Sequence, residues 1–230
     1  MIRVKICGLA EPGGVAAALE AGADGLGFVF FARSPRCVTP RQAAALSAPA
    51  AGRARRVGLF VDAPEEQIAA VLDACPLDAL QLHGEESPAE VARVRARFGL
   101  PVVKALGIGE RRDLDLAATH ALAADALLLD AKPPPGADRP GGHAAAFDWS
   151  LVAGLRFRVP WLLAGGLTPA NVAEAIRATG TPGVDVSSGV EASPGVKDPG
   201  KVAGFVAAAR GSLAVSGWAR RGETLGDAAP

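Results

Sequence analysis

Tyrosine is absent from this 230-residue chain, methionine occurs once, and aromatic residues of all kinds make up only 5% of it. Net charge is missing as well, because Lys plus Arg and Asp plus Glu cancel at 24 each. Without a basic stripe or aromatics to stack on bases, the footprint of a nucleic-acid binder is lacking. No run of about 18 or more strongly apolar residues is present, which argues against a membrane-spanning helix. Arg3 and Lys5 interrupt the N-terminus before a signal-peptide core can form. Cysteine occurs three times, at positions 7, 37 and 75. That odd, unclustered set fits neither a disulfide framework nor zinc-ligand spacing and points to a reducing cytoplasm. The partner left by these exclusions is a small molecule, with no nucleic acid, membrane or metal.

Half of the residues are apolar, enough for one sizeable core, and the length suits a one-domain barrel. Compact β-rich runs alternate with Ala-rich helical patterns, the signature of parallel βαβ units. Strands are predicted over Ile2–Cys7, Gly25–Phe31, Arg56–Asp62, Ala79–His83, Val102–Leu106, Ala126–Asp130, Trp161–Ala164 and Gly183–Ser187. Helices are predicted over Gly13–Glu20, Pro40–Ser47, Pro64–Ala74, Pro88–Phe98, Arg111–Ala121, Asp148–Ala153, Pro169–Thr179 and Pro199–Arg210, several with proline in the first turn. Eight successive units without a strong dinucleotide fingerprint favour a closed (β/α)8 TIM barrel, an α/β fold, over an open doubly wound sheet. The barrel domain is expected over residues 1–210 and a poorly ordered tail over 211–230.

Alternation along each strand sorts side chains between the barrel interior and the helix layer. Ile2, Val4 and Ile6 should face the helices, and Arg3, Lys5 and Cys7 the interior. The fourth strand repeats this with Leu80 and Leu82 against Gln81 and His83. The fifth sets Lys104, read as inward, against Val103 and Ala105. A buried lysine requires a partner; for Lys5 the expected one is Asp185 on the closing strand.

Residues at C-terminal strand ends face the substrate in such barrels. Cys7, in Lys5-Ile6-Cys7-Gly8, and Asp130, in Leu127-Leu128-Leu129-Asp130, both occupy such ends and suggest proton transfer. Taken singly, Cys7 also fits a buried small hydrophobe and Asp130 a turn carboxylate. The turns after the last two strands, around Gly165-Gly166 and Ser187-Ser188-Gly189, have the composition of a phosphate cradle, since glycine backbone and serine hydroxyls offer close donors. For either turn alone, glycine fits simple chain reversal equally well.

Together these segments resemble the phosphoribosylanthranilate isomerase family of tryptophan biosynthesis. The resemblance is carried by Lys5-Ile6-Cys7-Gly8, Gly27-Phe28-Val29-Phe30 with Ser34-Pro35-Arg36, Gln81-Leu82-His83-Gly84, Asp130, Phe147-Asp148-Trp149, and Leu163-Ala164-Gly165-Gly166-Leu167 with Asn171-Val172. It ends with Asp185-Val186-Ser187-Ser188-Gly189-Val190-Glu191 and Lys197-Asp198. It implies an Amadori rearrangement of N-(5-phosphoribosyl)anthranilate to 1-(2-carboxyphenylamino)-1-deoxyribulose 5-phosphate, with no redox cofactor or metal. It further implies Asp130 as the general acid at the ring oxygen and Cys7 as the general base at C2, with Lys5 expected to favour the thiolate. Arg36 matches an arginine that engages the anthranilate end, where a guanidinium fork suits a carboxylate. His83 and Asp185 are further substrate-binding candidates, Asp185 toward ribose hydroxyls, Lys5 or both. Gly142 is carried over as a backbone donor to phosphate. Arg139–Ala146 departs from the family's glycine-rich pattern, and the long loop over 131–147 suggests a lid. Related phosphosugar barrels such as indoleglycerol-phosphate synthase call instead for lysine and glutamate at strand ends, and a non-catalytic scaffold has no use for Cys7, Asp130 and Arg36 together. Monomer and homodimer both fit the sequence.

Overall fold

The computed structural model describes residues 2–132 and 148–213. Gly142, nearly all of the expected lid and the tail from 214 onward lie outside the described residues.

Strands β1 (Val4–Ile6), β2 (Gly25–Val29), β3 (Arg55–Phe60), β4 (Ala79–Leu82), β5 (Val102–Ile108), β6 (Ala126–Ala131), β7 (Trp161–Leu163) and β8 (Val184–Val186) pair in sequence order and close as one parallel barrel. The expected TIM barrel is therefore the observed fold. Helices α1 (Pro12–Glu20), α2 (Pro40–Ser47), α3 (Glu65–Ala74), α4 (Pro88–Phe98), α5 (Asp113–His120), α6 (Val172–Thr179) and α7 (Pro199–Leu213) connect or flank the strands. Proline opens α1, α2 and α4, where its missing N–H costs nothing. Thr39 with Gln42 and Ser87 with Glu90 form reciprocal capping boxes at α2 and α4.

The chain departs from the sequence reading most clearly in three places. The helix expected over Asp148–Ala153 is one 3₁₀ turn, Trp149–Val152. Asp148 caps it through the Ser150 N–H at 2.9 Å, but Gly154, at φ +71°, follows too soon for an α-helix. Helix α7 runs over Pro199–Leu213, ending beyond the predicted Arg210. After β8 the chain makes a 3₁₀ turn (Ser188–Val190) and then an unforeseen hairpin of β9 (Glu191–Ser193) and β10 (Val196–Lys197), reversing at Gly195 with φ +86°.

At the N-terminal face an aspartate precedes each of β2, β4 and β6 and accepts backbone N–H from the start of the strand before it. Asp24 takes Arg3 at 3.1 Å and Val4 at 2.8 Å, Asp78 takes Arg56 at 2.8 Å, and Asp125 takes Val102 at 2.9 Å. Each satisfies donors that would otherwise be left open at a strand start.

The interior layer holds Val103, Ala105, Leu128, Leu162 and Ala164, with Cys7, Val29 and Leu59 forming a cluster above. Between strands and helices lie Val4, Ile6, Leu26, Phe28, Leu80, Leu82, Leu127 and Leu129. The parity assigned to β1 and β4 holds; that of β5 is reversed. Val103 and Ala105 fill the barrel, and Lys104 points outward to the loop after β4. Its ammonium donates to Gly84 O at 2.6 Å and to Glu86 Oε2 at 2.7 Å. The apolar pair outweighs the single lysine in choosing which face is buried in the barrel, and the lysine finds its carboxylate outside. Lys104 is 1% exposed, so Lys104→Met strands the Glu86 charge and is expected to lower unfolding stability by about 3 kcal/mol in urea denaturation. Lys104→Met combined with Glu86→Gln should recover at least half of the loss; no recovery would mean that the pair itself is not what Lys104 supplies.

Candidate active site

Cys7 immediately follows β1, held by its N–H to Val186 O at 2.8 Å. Its side chain needs the bare backbone of the neighbouring strand, since a Cβ on Gly27 would sit 2.7 Å from Sγ. Two residues below, Lys5 Nζ donates to Asp185 Oδ1 at 2.9 Å, the expected pair, with both side chains buried. Burial works against the Lys5 charge, but Asp185 and the Cys7 thiol outweigh it and hold its pKa above the ordinary lysine value.

For Cys7 the balance runs the other way. Burial raises its pKa, Lys5 and Lys197 lower it, Asp185 raises it again, and the net shift is upward. Lys5 therefore acts on the thiol in the expected direction without making the thiolate the favoured form; its charge is largely committed to Asp185.

Arg36 lies in the loop after β2 with its side chain across Gly8, where a Cβ would come within 2.4 Å of Arg36 Cδ and 2.9 Å of Ser187 Oγ. Gly8 has φ +72°, a second reason for glycine there. The guanidinium is clasped by Glu191, Nε to Oε1 at 2.7 Å and Nη2 to Oε2 at 2.8 Å. Glu191 Oε1 also accepts Lys197 Nζ at 2.9 Å, and Lys197 reaches Ser187 O at 3.0 Å and Ser187 Oγ at 3.4 Å. Burial opposes the Glu191 charge, but Arg36 and Lys197 overcome it and hold the carboxyl below its ordinary pKa. Sequence reasoning gave Glu191 and Lys197 no role; the only signal was their place in the last motif.

Asp130 ends the inward row of β6. Its Oδ1 accepts the Ala131 N–H at 2.8 Å, and Oδ2 lies 3.5 Å from His83 Nε2. Gln81, on the same inward face as His83, sets its Nε2 3.2 Å from His83 Nδ1. The ring is thereby set between Gln81 and Asp130, with Nδ1 toward the amide and Nε2 toward the carboxylate. The loop bearing His83 is braced by the His83 N–H on Phe60 O at 2.8 Å and by Lys104 on Gly84 O from behind.

The site thus has two clusters. Cys7, Lys5, Asp185, Arg36, Ser187, Glu191 and Lys197 gather around β1 and β8, and Gln81, His83 and Asp130 around β4 and β6. In a ring of eight, β5 stands opposite β1 and is flanked by β4 and β6, so the strand end carrying Asp130 lies three strands round the mouth from the one carrying Cys7.

The two glycine-serine turns adjoin the first cluster. Gly165 and Gly166 have φ +81° and +63°. A Cβ on Gly165 would come within 2.6 Å of Ala131 N, and one on Gly189 within 1.8 Å of Leu167 O, so the turns after β7 and β8 are stacked backbone to backbone. Among the described residues the N–H groups of Gly165, Gly166, Ser188 and Gly189 make no protein hydrogen bond, leaving four donors where an anion would meet them. Among the described residues no three His, Cys, Asp or Glu side chains converge as metal ligands.

Burial predicts the titration of Cys7. In a Cys37→Ser/Cys75→Ser background, its alkylation by iodoacetamide should rise with pH to a midpoint above the ordinary thiol value of about 8.5. A midpoint at or below that value would mean that Lys5 and Lys197 together outweigh burial.

A family model described as N-(5'phosphoribosyl)anthranilate (PRA) isomerase matches residues 4–208. Relatives named N-(5'-phosphoribosyl)anthranilate isomerase include one from Paracoccus denitrificans, 57% identical over 208 residues, covering 90% of this chain and 97% of the relative. Another, from Rhodospirillum rubrum, is 58% identical over 211 residues, with 90% and 97% covered. The crystal structure of phosphoribosyl anthranilate isomerase from Thermotoga maritima superposes with TM-score 0.82 at 39% identity, over 92% of this chain and 100% of that one. A further structure of such an isomerase, in complex with reduced 1-(o-carboxyphenylamino)-1-deoxyribulose 5-phosphate, superposes with TM-score 0.79 at 38% identity, over 92% and 100%. Motifs, barrel and relatives agree: the chain belongs to the N-(5'-phosphoribosyl)anthranilate isomerase family.

Proposed function

We propose that this chain carries out the aldose-to-ketose rearrangement of N-(5-phosphoribosyl)anthranilate in tryptophan biosynthesis, with Asp130 as general acid and Cys7 as general base. Asp130 gives a proton to the furanose ring oxygen as the C1–O bond breaks and the substrate nitrogen forms a protonated Schiff base. Cys7, as thiolate, takes the C2 proton to give the enolamine, which tautomerises to the aminoketose. No net proton or electron is gained or lost. The observation that carries this reading is one acid and one thiol at inward strand ends of the same mouth, three strands apart in the ring. A substrate lying between them meets one group at its ring oxygen and the other at C2.

Binding is assigned by charge. The free donors of Gly165, Gly166, Ser188 and Gly189, with the Ser187 hydroxyl nearby, suit the phosphate, and Arg36 suits the ring carboxylate. The ligand bound to the relative described above carries both groups, which supports the same division here. His83 holds the Asp130 carboxyl toward the mouth, and Asp185 is engaged chiefly by Lys5. Gly142 remains a proposed phosphate contact outside the described residues. Neither step calls for a metal or redox cofactor, and the three unpaired cysteines suit a cytoplasmic setting.

The test is growth rescue of a tryptophan auxotroph lacking this isomerase, followed by kinetics of the purified chain. Wild type should rescue, and soluble expression without rescue would overturn the assignment. Cys7→Ser and Asp130→Asn should lower kcat by about 10²–10⁴-fold while phosphosugar binding persists.

A further inference from the structure

Glu191 is 9% exposed, and it sits on a hairpin that the barrel does not need for closure. Its carboxylate joins three separate segments. Arg36 comes from the loop after β2, Lys197 from β10, and through Lys197 the turn at Ser187 after β8 is drawn in. Lys201 Nζ fixes the backbone of the same residue by donating to Glu191 O at 2.8 Å. Removing the carboxylate would leave Arg36 and Lys197 as two buried cations with no anion between them.

The clasp also has a direction. Glu191 takes the Nε and Nη2 edge of the guanidinium. Nη1 makes no hydrogen bond among the described residues, so the remaining Nη1–Nη2 edge keeps donors for a second planar anion. An arginine left to itself loses rotamer entropy when it binds a carboxylate; one already clasped has lost it on folding.

We infer that Glu191 is a positioning residue for substrate recognition, orienting the Arg36 fork toward the substrate's ring carboxylate while Lys197 ties that fork to the phosphate turn. This rests on the assignment of Arg36 to the carboxylate, made above. The two ends of the substrate are therefore gripped by one connected network, and the distance between carboxylate and phosphate is read by its geometry. Glu191 touches neither the substrate nor the reacting atoms.

The experiment is calorimetric binding of reduced 1-(2-carboxyphenylamino)-1-deoxyribulose 5-phosphate and of its counterpart without the ring carboxylate. The proteins are the full chain, Glu191→Gln, Glu191→Ala, Arg36→Ala and Arg36→Ala/Glu191→Ala. Neither ligand depends on turnover, so the chemistry at Cys7 does not enter. Glu191→Ala should weaken the carboxylated ligand by about 30-fold and the other by less than about 3-fold, as expected for loss of an oriented charged hydrogen bond. Glu191→Gln, which keeps one acceptor and the shape, should lose about 10-fold for the carboxylated ligand and serves if the alanine variant does not fold. In the Arg36→Ala background, removing Glu191 should add less than about 3-fold. Equal weakening of both ligands, or full additivity with Arg36→Ala, would overturn the positioning role. Wild type failing to bind either ligand would instead overturn the proposed function, and unchanged binding in Glu191→Gln would leave that function standing without this role for Glu191.

Discussion

The buried pair of Lys5 and Asp185 is the interaction on which the rest of the molecule hangs. The two residues are register partners across the seam where the last strand meets the first. Strand β8 is three residues long and meets β7 through a single register pair, Leu163 with Val184, whereas β1 holds it through three. Each charge alone in the barrel would cost several kcal/mol, so the pair is required in full or not at all. Ser187, the following 3₁₀ turn and the hairpin with Glu191 and Lys197 all take their positions from where β8 is held. The same constraint accounts for the state of Cys7. A lysine shared between a carboxylate and the thiol two residues above it lowers the thiol's pKa by less than burial raises it, and burial prevails there.

The opposite face is secured by another device. Asp24, Asp78 and Asp125 repeat one clamp at the starts of three successive strand pairs. Before β8 no aspartate fills that role; Thr181 Oγ1 donates to Gly183 O at 2.7 Å within its own turn. The barrel thus separates its tasks along its axis, stability at the N-terminal openings and chemistry at the C-terminal ends. Between them the seam is carried by the ion pair.

Much of this was legible in the sequence because the signals were local and physical. Alternation in Ile2–Cys7 placed Lys5 and Cys7 on one face, a lysine inside a barrel required an anion, and strand order made Asp185 the available one. Proline and capping residues marked helix starts. The parity of Val102–Leu106 was harder, because apolar residues stand on both sides of Lys104 and alternation does not say which side is the interior. The structure resolves it through Glu86, a partner in a loop that strand patterning does not reach. Glu191 was illegible for a related reason. It meets Arg36, 155 residues away, through a hairpin whose strands are too short to show a period. The short turn at Trp149–Val152 escaped because a capping aspartate begins 3₁₀ and α-helical turns alike, and only the nearness of Gly154 tells them apart.

The close stacking of Gly189 on Leu167 has a consequence for any attempt to transplant this site. No side chain fits between the turns after β7 and β8, so neither has slack to accommodate a foreign neighbour. Recombining barrels at the boundary between those two units would therefore pair surfaces shaped for other partners. A hybrid that keeps or exchanges both turns together preserves a contact that one exchanging either alone destroys.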